Sequence, residues 1–115
     1  MPKLKRTKGI PTEVFSHLGP VPVIFADTVD AEDSMGEAHF ANRKITVQLG
    51  HHDKTTAQIF GHELLHFILA DGNADVMSEK KLEKVCDAFG TWLAAAMAAG
   101  AIRFPTRLST LPPQG

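Results

Sequence analysis

The segment 61–66 (GHELLH) most constrains the fold, because it places two histidines and a glutamate within a largely apolar stretch. The neighbouring apolar residues occupy nearly every side of a helix: Ile59, Phe60, Leu64, Leu65, Phe67, Ile68 and Leu69. A surface helix carries only one apolar stripe, so this pattern predicts a buried helix. Polar side chains on a buried helix need partners, because their burial without partners is costly.

The two histidines suggest a metal site. His62 and His66 are four residues apart, so both imidazoles project from one face of the predicted helix, one turn apart. This spacing suits two nitrogen ligands of one Zn²⁺. Glu63 lies about 100° round the helix, within reach of a water at the metal. The alternative is two satisfied core histidines and a solvated glutamate; we favour zinc, because one ion satisfies all three polar groups.

A third ligand is expected from the following helix, which Ser78 should cap. His66 precedes Asp71, the last residue before the turn, by about 7.5 Å of helix rise. Glu83 follows Ser78 by about the same rise. Antiparallel packing would therefore bring His66 and Glu83 level, with Glu79 one turn closer to the connection. The geometry favours Glu83 over Glu79.

The remaining sequence predicts an α+β fold. Residues 45–48 alternate apolar and polar side chains, as a half-buried strand does. Asp53 or Thr55 can cap the first long helix, and Gly72 can end it. The first half of the chain is expected to form a short helix over 11–18, a strand over 21–26 and a solvated acidic loop over 27–37. Pro22 places the strand at a sheet edge or marks a strand start. A hairpin of strands 37–40 and 44–48 should follow, and then helices over 55–70 and 79–99.

The last predicted helix carries an apolar stripe at helical spacing, consisting of Leu82, Val85, Cys86, Phe89, Trp92, Leu93 and Ala96. Gly90 interrupts this stripe and suits a close contact with another helix. We interpret Cys86, which lies on the stripe, as a buried structural thiol rather than a zinc ligand. A single cysteine cannot form an internal disulfide, so nothing marks an oxidising compartment.

Length and charge limit the classes of protein. The 115 residues fit one domain, which we place at residues 11–103, between a flexible basic arm (1–10) and an extended, proline-containing tail (104–115). The formal net charge of −1 excludes a general polyanion binder. The longest apolar run is about half of the roughly 20 residues that span a bilayer. We therefore expect a cytoplasmic protein without a specific nucleic-acid partner or a membrane partner.

Residues 62–66 (HELLH), followed about seventeen residues later by 83–90 (EKVCDAFG), resemble the gluzincin metallopeptidases. The chain is most similar to the compact ImmA/IrrE-type proteins, whose second helix carries an E-x-x-A-N-x-F-A signature. Glu83 matches the ligand position of that signature. Asp87 replaces the more usual Asn, and Leu65 stands where these proteins often have Gly; neither change removes a ligand.

The resemblance covers about residues 21–97, including a hairpin with an edge strand before the HExxH helix. It implies a small zincin-like core, in which a short sheet packs on the HExxH helix and a second, antiparallel helix completes the site. It also implies that His62, His66 and Glu83 hold Zn²⁺ and that Glu63 is the catalytic base.

A zinc ion with three protein ligands and one open position is typical of catalysis. We therefore predict a zinc-dependent peptidase that hydrolyses an extended protein or peptide substrate, with Glu63 accepting the proton of the attacking water. The substrate is expected to add a strand along residues 44–48. The alternative is a zinc-stabilised, non-catalytic protein-binding module on the same fold.

Two supporting roles stay open at this point. Asp87, one turn beyond Glu83, either orients a ligand histidine through its second nitrogen or is an exposed helix acid. The chain has no tyrosine, which often stabilises the oxyanion in related enzymes. His39, His51 and His52 are the remaining candidates for that role, the alternative being surface histidines.

Overall fold

A computed structural model describes residues 9–16, 18–27 and 35–104, and shows a four-stranded mixed sheet packed with two helices. The predicted α+β class is confirmed. The strands are β1 (Glu13–Ser16), β2 (Gly19–Ala26), β3 (Gly36–His39) and β4 (Lys44–Gln48), and the helices are α1 (Asp53–Asp71) and α2 (Glu79–Ala98).

The sheet has the strand order β1-β2-β4-β3. β2 and β4 are parallel, whereas the pairs β1–β2 and β3–β4 are antiparallel. The predicted hairpin is confirmed as β3 and β4, with Gly36 opposite Val47. The expectation that residues 44–48 form an edge is wrong, because β4 lies between β2 and β3. The alternation of apolar and polar residues indicates which face of a strand is buried. It does not indicate whether the strand has one neighbour or two in the sheet.

The helix predicted over residues 11–18 is also wrong. Residues 13–16 form β1, which pairs with the first half of β2 and brings Val14 opposite Val21. Both valines are buried in the core. Gly19 begins β2 with a φ of 126°, a conformation that favours glycine. Pairing with an apolar strand gives this short segment burial that two isolated helical turns would not provide.

The edge position predicted from Pro22 is confirmed for only half of β2. Residues 19–22 pair with β1, and residues 23–26 pair with β4. The N–H of Val23 donates to the carbonyl of Thr12 at 2.8 Å on the β1 side. The nitrogen of Pro22 therefore points to the opposite side, before pairing with β4 begins, so its missing N–H costs no ladder hydrogen bond.

α1 is apolar on nearly every side because it lies between the sheet and α2. Phe60 and Phe67 are fully buried, which confirms the predicted buried helix. The helix begins two residues earlier than expected, with His52 as its N-cap and no side-chain capping bond. The hydroxyl of Thr56 instead donates to the His52 carbonyl at 3.0 Å. The helix ends at Gly72, as predicted.

α2 agrees with the sequence at both ends. The hydroxyl of Ser78 accepts a hydrogen bond from the backbone N–H of Lys81, and Ala99 is the C-cap. The apolar stripe is wider than the surface that α1 covers: Leu93 is buried, whereas Val85 and Trp92 are 41% and 56% exposed.

The two helices approach most closely where Gly61 meets Gly90. A Cβ added to Gly90 would lie 2.4 Å from the carbonyl oxygen of Gln58, and one added to Gly61 would lie 2.9 Å from the Cα of Gly90. The predicted close contact at Gly90 is confirmed. Gln58 lies beside Thr91, whereas His66, farther along α1, lies beside Glu83, earlier in α2. The helices are therefore antiparallel.

Gly90→Ala is expected to lower the free energy of unfolding by about 1–3 kcal/mol, because the new methyl group meets backbone that cannot rotate away. This cost should exceed the gain of about 1 kcal/mol in helix propensity. The matched control, Ala95→Ser, adds one atom on the exposed side of α2 and should change stability by less than about 0.5 kcal/mol. Urea unfolding with a chelator present measures both variants. A Gly90→Ala protein as stable as wild type would show that the two helices can move apart at this contact without a loss of stability.

The C-terminal end of α1 is tied to the sheet by an ion pair that the sequence did not predict. Arg43, in the β3–β4 turn, donates to both carboxylate oxygens of Asp71 at 3.1 and 3.0 Å. The hydroxyl of Ser16 also donates to Asp71, and the Arg43 guanidinium lies over the ring of Phe67. These contacts hold the hairpin against α1, and so hold β3 alongside the helix that carries the predicted site.

The ends of the folded region extend beyond the predicted boundaries. Ile10, placed in the arm by the sequence, is fully buried, and Phe104, placed in the tail, packs edge-on against Phe60. The remaining residues of the predicted arm and tail, and residues 28–34 of the predicted acidic loop, lie outside the described residues. In the part of the chain that the structure describes, neither helix is long and apolar enough to cross a membrane.

Candidate metal centre

The structure brings together the three residues predicted as ligands, where α1 and α2 run antiparallel. Nε2 of His62 lies 3.1 Å from Nε2 of His66. Glu83 reaches both rings, with Oε1 3.1 Å from Nε2 of His62 and Oε2 2.8 Å from Nε2 of His66. One ligand atom from each residue lies within 4.8 Å of the others. Glu83 occupies the level that the helix-rise argument gave it.

The donor set fits a zinc ion. Ligand atoms about 2.0–2.1 Å from a tetrahedral zinc lie roughly 3.3 Å apart, close to the separations found here. Two imidazoles and one carboxylate also form one of the common catalytic zinc sets. When His62 is neutral with its proton on Nδ1, the lone pair of Nε2 points toward Glu83 and His66. A cation at this point would be held by the ring nitrogens and by the carboxylate of Glu83.

Asp87 fixes the ring of His62 from behind. Its Oδ1 lies 2.6 Å from Nδ1 of His62, so a proton on Nδ1 is shared with the carboxylate and Nε2 is left to face the centre. The predicted contact between Asp87 and a ligand histidine is present. The side chain is nevertheless 73% exposed, so Asp87 is both an orienting group and a surface acid.

Glu63 is beside the triad but is not part of it. Burial raises its pKa to about 7, against the opposing effect of His62. The carboxylates of Glu83, Glu37 and Asp87 also contribute to this raised pKa of Glu63. In the metal-free protein, Glu63 is therefore able to gain and lose a proton near neutral pH, as a general acid or base must.

A cleft of about 470 Å³ opens beside the triad and extends along the N-terminal half of α1. The start of β3 packs closely against α1 at one side of this cleft. A Cβ added to Gly36 would lie 2.6 Å from Cγ2 of Ile59 and 3.1 Å from Cγ of Glu63. α2 contributes the opposite wall. The described lining residues are Met35, Gly36, Thr55, Gln58, Ile59, His62, Glu63, Asp87 and Thr91.

Three of these polar residues were missed by the sequence analysis, because no motif contains them. Thr55 and Gln58 share the helix face of His62 at a spacing of three and four residues, a periodicity that could have identified them. Thr91 could not have been found in this way, since it comes from the other helix. The amide of Gln58 donates to the hydroxyl of Thr91 at 3.5 Å across the cleft.

The three histidines proposed for the oxyanion do not line this cleft among the described residues. His39 lies 3.7 Å from Glu37, and His51 contacts the side-chain oxygen of Gln48 at 2.9 Å. His52 is the N-cap of α1, ten residues before His62, a helix rise of about 15 Å. His52 is therefore close to the motif in sequence but far from His62 along the helix axis.

Cys86 is fully buried and is not part of the triad. Burial, together with the charges of neighbouring carboxylates, raises the pKa of its thiol to about 12. The predicted burial of this thiol is confirmed.

No protein-family model, curated protein or solved structure matches the chain. The resemblance to gluzincins therefore remains a prediction that depends on residues 62–66 and 83–90.

Proposed function

We propose that the protein is a zinc-dependent peptidase with a zincin-like core, in which His62, His66 and Glu83 hold Zn²⁺ and Glu63 is the general base. The observation that carries this proposal is a largely buried carboxylate that stands beside the triad and faces a cleft. A purely structural zinc site needs the triad, but has no use for Glu63, whose burial is unfavourable when it is ionised.

The chain's own residues supply the proton transfers. Zinc, when bound, would lower the pKa of a water to about 7 and polarise the peptide carbonyl. Glu63 accepts the proton of the attacking water and donates it to the leaving nitrogen. Asp87 retains the proton on Nδ1 of His62, so that this ring presents Nε2 to the centre.

We place the extended substrate along β3 rather than along residues 44–48. Within the described residues β3 pairs with β4 and is the last strand of the sheet, which is the position where a peptide can add a strand. Gly36 at the start of β3 lines the cleft and lies against Glu63. A peptide paired with β3 would therefore pass beside the general base.

The second candidate is a zinc-stabilised module that binds peptides without cleaving them. Two observations favour it: the chain has no tyrosine, and none of His39, His51 and His52 reaches the described cleft. The same cleft and edge strand would then hold a protein partner without turnover.

Metal removal separates the two functions. The zinc-loaded protein is expected to cleave an unfolded protein, to lose this activity in a chelator and to regain it with about one equivalent of zinc. Mass spectrometry of the fragments measures the activity, and equally loaded Glu63→Gln protein is the control for a contaminating peptidase. Wild-type protein that holds zinc and produces no fragments would support the binding module instead.

A further inference from the structure

We propose that the cleft beside the metal centre selects a basic side chain of the peptide, received between α1 and α2 with Asp87 as its acidic partner. The inference depends on the proposed function for the identity of the ligand as a peptide. It adds the chemical class of side chain that the site prefers.

The charge of the cleft favours a basic side chain. Glu63 and Asp87 line it, and its other described lining residues include no lysine or arginine. Glu37 and Glu83 are close enough to act electrostatically on Glu63. The charged side chains of the described lining are therefore acidic, and Asp87 still supplies one when Glu63 is replaced by glutamine. Clefts lined by one sign of charge concentrate ligands of the opposite sign.

The position of Asp87 suits an ion pair with a basic side chain. One carboxylate oxygen lies 2.6 Å from Nδ1 of His62, and the side chain is 73% exposed and lines the cleft, so the other oxygen can take a second partner. In the part of the chain that the structure describes, Asp87 forms its hydrogen bond and ion pair with His62. A lysine or arginine can therefore bind this oxygen without displacing the histidine.

The shape of the cleft and its uncharged lining residues suit a long side chain. Thr91 lies one turn beyond Asp87 on α2 and meets Gln58 from α1, so the region beyond Asp87 is closed by uncharged polar groups. Ile59 and Met35 supply apolar surface for the methylene groups of a long side chain. A volume of about 470 Å³ accommodates a lysine or arginine side chain. An acidic side chain would meet like charge instead.

Peptide binding to zinc-loaded Glu63→Gln tests the proposal without turnover. Fluorescent peptides blocked at both ends, identical except for a central Lys, Met or Glu, are compared by anisotropy. The Lys peptide is expected to bind about tenfold more tightly than the Glu peptide, with the Met peptide between them. A Met peptide with a free amino terminus distinguishes a basic side chain from a terminal amine.

Two variants in the Glu63→Gln background locate the effect. Thr91→Lys puts a cation inside the cleft and should abolish the preference for Lys over Glu. Ala95→Lys adds the same charge one turn farther along α2, at an exposed position outside the described lining, and should retain most of the preference. Zinc content is measured for each protein, so that loss of the metal is not mistaken for loss of selectivity.

The outcomes distinguish this inference from the peptidase proposal. Equal dissociation constants for the Lys and Glu peptides, equal losses in Thr91→Lys and Ala95→Lys, or a preference only for the free amine would overturn the basic side-chain pocket. Wild-type cleavage without this selectivity would leave the peptidase proposal intact. Selective binding without wild-type cleavage would support the pocket on a binding module. Failure of every peptide to bind would count against both.

Discussion

Zinc-loaded Glu63→Gln is expected to retain its metal and to cleave unfolded protein about 10²–10⁴-fold more slowly than wild type. Glu63 is not one of the three side chains of the candidate triad, so the substitution leaves those donors intact. Glutamine keeps the shape of glutamate and its reach, but cannot accept the proton of water. Fragment yield over time measures the rate, and chelator competition measures zinc affinity.

The control for this variant is Glu79→Gln, the same chemical change at an exposed acid on α2. It should leave both cleavage and zinc affinity unchanged. Undiminished cleavage by Glu63→Gln would exclude Glu63 as the base, whereas a large loss of zinc would show that it helps to hold the metal.

Glu63→Gln should also change how stability depends on pH in the metal-free protein. Burial raises the pKa of Glu63 from about 4.5 to about 7, so between these values the folded state holds a proton that the unfolded state has lost. This group therefore lowers stability as pH rises through that range. The variant should gain stability relative to wild type at pH 8 and lose this advantage at pH 4, as urea unfolding at both pH values would show.

His66→Ala is expected to abolish zinc binding at micromolar free metal and to remove the rise in melting temperature that zinc gives the wild type. Nε2 of His66 contacts both other members of the triad, so its loss leaves only two ligands. Zinc that binds only the folded state stabilises it by about 2.7 kcal/mol when present at 100 times its dissociation constant. Competition with a chromophoric chelator and thermal unfolding with and without zinc measure the two effects.

Glu83→Ala and Glu79→Ala form the matched pair for the second helix. Glu83 reaches both histidine rings, whereas Glu79 is one turn closer to the connection and is not in the triad. Only Glu83→Ala should weaken zinc binding strongly. An equal or larger effect at Glu79 would show that the register of α2 differs from the one described here.

The local patterns in the sequence predicted much of the helical part of the fold. Apolar residues on every side of residues 59–69 indicated a helix buried on more than one side, and α1 does lie between the sheet and α2. Ser78 marked the start of α2, and a constant rise per residue placed Glu83 level with His66. These features depend on the geometry within one helix or on one short connection.

The features that the sequence did not predict depend on contacts between distant segments. Residues 13–16 form a strand because they pair with β2. β4 is an interior strand because β2 pairs with it on one side and β3 on the other. The ion pair of Arg43 with Asp71 joins a turn to a helix end 28 residues away. Pairings of this kind are decided by tertiary packing, which overrides the weak preferences of short segments.

The most direct test of the central claim is the zinc X-ray absorption spectrum of the loaded wild-type protein. We expect histidine nitrogens at about 2.0–2.1 Å and oxygen at about 2.0–2.2 Å, with one histidine fewer in His66→Ala protein that is loaded at a high zinc concentration. We also expect no sulfur at about 2.3 Å, because Cys86 is buried and is not part of the triad. A sulfur shell, or a spectrum that is the same for zinc-loaded His66→Ala, would contradict the assignment of the metal centre.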